Sequence, residues 1–75
     1  MDAFEQYLIK VVKDEGETAT RYALESGALY SAGNYDDANN HAMIAIVNAH
    51  RGGAFNEALE AYRKFKESGE LNAEK

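Results

Sequence analysis

The sequence contains no cysteine, no proline and no tryptophan. Without cysteine there are no disulfides, no thiolate zinc site and no cysteine nucleophile, so a small core must hold without covalent staples, and a reducing compartment is allowed. With proline missing altogether, the six glycines are left as the punctuation of the chain. No stretch approaches the roughly 18–20 apolar residues of a membrane span, and Met1-Asp2 lacks the basic start and apolar run of a secretion signal, so the expected address is cytoplasmic. Positive charge is scarce: eight Lys and Arg face thirteen Asp and Glu, a net charge of -5 that disfavours non-specific attraction to nucleic acid or anionic lipid. The one basic cluster, Arg63, Lys64 and Lys66, is offset by Glu57, Glu60 and Glu67, so no nucleic-acid partner is expected. The 75 residues fit a single domain, and a composition 45% hydrophobic is too apolar for a disordered tail.

Glycines at 16, 27, 33, 52, 53 and 69 divide the chain into segments of helical length. The spacing predicts an all-α bundle of three to four short antiparallel helices over residues 1–69, with 70–75 as a frayed tail. The first helix runs from about Ala3 to Glu15, capped by Asp2 with Glu5 as in a capping box, and buries Phe4, Tyr7, Leu8, Val11 and Val12. The second, Glu17 to Ala32, carries Ala19, Tyr22, Ala23, Ser26, Leu29 and Tyr30 inward; should Gly16 fail to break the chain, it is continuous with the first. Gly33-Asn34 is a stop-and-start pair before a third helix from Tyr35 to His50, on which Ala38, Ala42, Ala45 and Ala49 form one narrow face that lets a neighbouring helix come close. Arg51-Gly52-Gly53 closes it. The fourth helix, Ala54 to Ser68, buries Phe55, Ala58, Leu59, Tyr62 and Phe65 and ends at Gly69. In an up-and-down bundle, Asp14, Glu15 and Glu17 come near His50 and Arg51, and Asp36 and Asp37 come near the basic close of helix four.

Gly33-Asn34-Tyr35-Asp36-Asp37-Ala38 and Gly53-Ala54-Phe55-Asn56-Glu57-Ala58 share a Gly-x-aromatic-polar-acid-Ala pattern, which resembles the start of the second helix in tetratricopeptide repeats. Those repeats recur at about 34 residues, whereas this echo recurs twenty residues on, so two successive repeats cannot be fitted. Size, acidity and helix number resemble acyl carrier proteins, but their Asp-Ser-Leu attachment triplet is missing; the nearest fragment is Glu25-Ser26-Gly27 in mid-helix.

Catalytic groupings are equally thin. His41 and His50, nine residues apart on one helix, point to opposite sides, and Asp37 with His41 lacks a third ligand, so no metal and no cofactor are expected. Ser26 and Ser31 have no positioned base, and Asp36-Asp37 sit in a first turn where acids suit the helix dipole. The chain reads as a non-enzymatic module that binds another protein, an adaptor or an inhibitor such as mobile elements use against host machinery. Its expected surface is the arc of Met43, Ile44 and Val47 on helix 35–50, with Asp36, Asp37 and Asn40 beside it; a homodimer through the same arc is a further expectation. Against this stands a central helix touched on two sides, with Ile44 in the core. The competing functional class is a small-ligand site between helices or subunits, formed by Tyr30 and Tyr35 with His41 or Arg51.

Overall fold

A computed structural model describes residues 2–68. Two antiparallel helices, α1 (Ala3–Ser31) and α2 (Tyr35–Ser68), form a hairpin with principal extents of 58 × 19 × 12 Å. The all-helical class is as expected, but the short segments read from the glycines merge in pairs into two long helices. Gly69 and residues 70–75 lie outside the described residues.

Local chemistry accounts for the ends. The Asp2 carboxylate accepts the Glu5 backbone N–H at 2.8 Å, capping α1. The reciprocal half of the capping box is absent, because the Glu5 side chain is turned across to α2. At the other end of α1, the Gly33 N–H donates to the Tyr30 carbonyl and the Asn34 N–H to the Leu29 carbonyl, the paired bonds of a Schellman stop. That geometry requires a left-handed residue, and Gly33 supplies it at φ 84°, the only positive φ among the described residues. The Asn34 carbonyl then accepts from Ala38, starting α2 at the expected position.

Gly16 and the Gly52-Gly53 pair do not break the helices. A mid-helix glycine costs about 1 kcal/mol relative to alanine, too little to end a helix that packs along its whole length. At Gly52 the packing gives glycine a reason: a Cβ there would sit 3.4 Å from the Glu15 Cβ and 3.9 Å from the Val12 carbonyl oxygen, so the two backbones run close at this waist.

The buried residues of α2 are Ala38, Ala45, Gly52 and Leu59, spaced by seven, with half-buried His41, Asn48, Phe55 and Tyr62 between them. On α1 the matching series are Glu5, Val12, Ala19 and Ser26, and Leu8, Glu15, Tyr22 and Leu29, all buried or half-buried. Seven-residue recurrence is the seam of two helices wound along each other. The two series put different residues on the two long sides of the hairpin. One side of the seam is small: Ala19, Ser26, Ala38, Ala45 and Gly52. The other holds larger and more polar groups, including Glu15, Tyr22, His41 and Asn48.

Leu8 and Leu59 are the only large apolar side chains buried among the described residues. Of the expected first stripe, Val11 and Val12 are half-buried and Phe4 and Tyr7 exposed; of the second, Ala23 and Tyr30 are exposed, because they stand beside the seam and α2 does not cover them; of the last, Phe55 and Tyr62 are half-buried and Ala58 and Phe65 exposed. The narrow alanine face does meet the neighbouring helix through Ala38 and Ala45, with Ala42 half-buried and Ala49 on the rim. Helix 35–50 is not central: α1 is its one neighbour, because two helices have one interface.

Candidate docking surface

Met43, Ile44 and Val47 lie on the part of α2 turned away from the seam, exposed by 59%, 41% and 53%. Asp36, Asp37 and Asn40 are exposed one to two turns earlier, toward the hairpin turn. Positions 36, 40, 43, 44 and 47 follow the three- and four-residue spacing of one helix face, so these side chains form a single strip with an acidic end. Leu24 and Ile46, among the other exposed apolar groups, belong to different faces.

The residues of the competing ligand site are not brought together. Tyr30 and Tyr35 pack ring to ring at 5.0 Å beside the turn, on the small-residue side of the seam, next to an open depression of about 330 Å³ that also includes Ser26 and Ala42. His41 faces the opposite side, 5.5 Å from the Tyr22 ring and 4.0 Å from the Glu25 carboxylate, and borders a second depression of about 360 Å³ with Leu29 and Asp37. Arg51 stands ten residues further along α2, roughly 15 Å away, paired with Glu15 at 2.7 Å. The expected nearness of Glu15 and Arg51 is therefore present, in mid-hairpin rather than at the end of a bundle.

Asp36 and Asp37 lie at the turn, far from the basic close of α2. That basic end meets the start of α1 instead. Arg63 Nε donates to Glu5 at 2.7 Å, Lys66 Nζ to Glu5 at 3.1 Å and to Asp2 at 2.9 Å, and the Tyr62 hydroxyl to Asp2 at 2.7 Å. The Glu5 backbone N–H, then Lys66 and Tyr62, hold the Asp2 carboxyl far below the usual range, while Arg63 and Lys66 lower that of Glu5. The same contacts raise Tyr62 and Lys66, for which Asp2 is the largest cause. Sequence reasoning missed this cluster. It set Arg63, Lys64 and Lys66 only against Glu57, Glu60 and Glu67 of their own segment, and only the length of the two helices, which sets the register of one against the other, could have placed Arg63 opposite Glu5.

No group of three or more His, Cys, Asp and Glu that could hold a metal occurs among the described residues, and no helix among them is long and apolar enough to cross a membrane. The chain matches no family model, no curated protein and no solved structure.

Proposed function

We propose that this hairpin is a non-enzymatic protein-interaction module, an adaptor or inhibitor of the cytoplasm, that docks through the outer strip of α2. The observation that carries the reading is the exposure of Met43, Ile44 and Val47 together on a face that no part of the described chain covers. Apolar groups gathered on one face give up water on docking, and the acidic end adjoining them favours a partner with an apolar groove and a basic rim. The tyrosine-based ligand reading is weaker, since its four residues are divided between two sides of the hairpin.

The test uses tagged wild-type, Ile44→Glu and Asp36→Lys/Asp37→Lys proteins as baits in a native lysate, followed by calorimetry with the captured partner. Ile44→Glu is expected to lower affinity about tenfold or more. The double lysine variant is expected to lose binding chiefly at low salt. Ile44→Glu should keep the wild-type melt within about 0.5 kcal/mol, as exposed positions do, whereas the double lysine variant gives up two first-turn acids and should lose about 1–2 kcal/mol while staying folded. Undiminished binding by both would overturn this surface.

A further inference from the structure

The small-residue side of the seam carries no charge over the half of the hairpin nearer the turn. Every Asp, Glu, Lys and Arg between Gly16 and Gly53 falls at another register position, on the outer edges or the opposite side. This uncharged side is not featureless. Ile46, exposed by 56%, stands on the rim of a groove of about 330 Å³ formed across both helices by Ala19, Ala23, Ala45 and Ala49. Tyr30 and Tyr35 lie exposed at one end, and Gly16 and Gly53 lie at the other, each with open space where a Cβ would point.

We infer that this side is covered by a second copy of the chain, laid antiparallel across it about a two-fold axis near Ala23 to give a four-helix bundle. Area is the first argument. The chain exposes 5493 Å², whereas a compact monomer of 8.3 kDa exposes about 4,600 Å². The excess, about 900 Å², matches the roughly 800 Å² that each partner contributes to a stable interface of standard size. The second argument is the core itself. Four buried apolar residues, two of them alanine, are a poor core for a lone domain, so the missing burial must be available whenever the chain folds. A second copy is the one partner that is always synthesised with it.

The third argument is shape. A two-fold axis near Ala23 stacks α1 on α1 and α2 on α2. Residues equally far from Ala23 then meet, so Tyr30 lies over Gly16 of the second copy, and Tyr35 falls toward the stretch holding Ala49 and Gly53. Bulk meets space at both ends, and the same patch serves both chains, as a closed two-fold interface requires. A parallel arrangement would set tyrosine on tyrosine and leave glycine facing glycine. The dimer side and the outer strip of α2 are distinct, so this inference stands or falls separately from the proposed docking surface.

The full chain has no cysteine, so single cysteines report only contacts between chains. Sedimentation equilibrium should show twice the 8.3 kDa chain mass. Mild oxidation should link Ala23→Cys to itself, and Gly16→Cys to Tyr30→Cys in a mixture of the two, at least about tenfold faster than it links Ile44→Cys to itself. Ala23→Glu, which sets two carboxylates face to face across the axis, should raise the dissociation constant about 100-fold. If that variant fails to fold, the cysteine pairs still decide. A fully helical species of single-chain mass at about 100 µM, where a dimer of micromolar affinity would be assembled, overturns the proposal. So does a dimer that links through Ile44→Cys and not through Ala23→Cys.

Discussion

At the open end of the hairpin, Leu8 and Leu59 are buried, the Phe4 and Tyr62 rings meet edge to face at 5.0 Å, and Asp2 and Glu5 are clasped by Tyr62, Arg63 and Lys66. Toward the turn, one side of the seam is Ala19, Ser26, Ala38 and Ala45, where the Ser26 hydroxyl donates to the Ala38 carbonyl at 2.6 Å, and the other side holds Tyr22, Leu29 and His41, all only half-buried. One end is held by large side chains and charge. The other is held by the nearness of two backbones. Small residues let helices approach but bury little apolar area each, so the turn half gains less per residue from water exclusion and relies on the covalent turn to keep its helices paired.

The largest effect should come from cutting the strong end. Leu8→Ala or Leu59→Ala is expected to cost about 2–5 kcal/mol in urea melts, enough to unfold a domain of this size. A loss as small as that of an exposed residue would show that the ends do not differ. Gly52 probes the waist between them. Gly52→Leu cannot fit beside Glu15 without parting the helices and should cost about 1–3 kcal/mol, whereas the alanine variant meets only ordinary contacts and should stay within about 1 kcal/mol of wild type or exceed it.

A smaller effect belongs to acid. The folded-state values of Asp2 and Glu5 lie below their ordinary 3.8 and 4.5, so their contribution is fully present above about pH 5 and is lost as pH falls through the depressed folded values. The melting temperature of the wild type should therefore fall more steeply below pH 4.5 than that of an Asp2→Asn/Glu5→Gln variant. Parallel curves would show that the clasp adds nothing, the usual outcome for exposed pairs.

Much of this was legible wherever a signal was local. Asp2 as a cap, Gly33-Asn34 as a stop and start, Leu8 and Leu59 as core and the alanine face at 38 and 45 all follow from spacing and side-chain chemistry. The glycines at 16, 52 and 53 were misread for a physical reason. In sequence they resemble helix ends, but a glycine stops a helix only when the next residues gain by leaving it, and here they gain by staying against the facing helix. Pairings across the hairpin were legible only in part: Glu15 with Arg51 survives the change from four helices to two, whereas Arg63 with Glu5 depends on a register that no short segment contains. The two sides of the seam were invisible for the same reason, since they exist only when both helices are laid together.

The turn formed around Gly33 also orders events in time. The Ser26 to Ala38 bond joins residues 12 apart, and the Glu5 to Arg63 bond joins residues 58 apart. Closing the longer loop from an open chain costs about 1.4 kcal/mol more than closing the shorter one, so pairing spreads outward from the turn. The small-residue contacts beside the turn then come together first, and the Leu8 and Leu59 burial and the charged clasp at the open end arrive last.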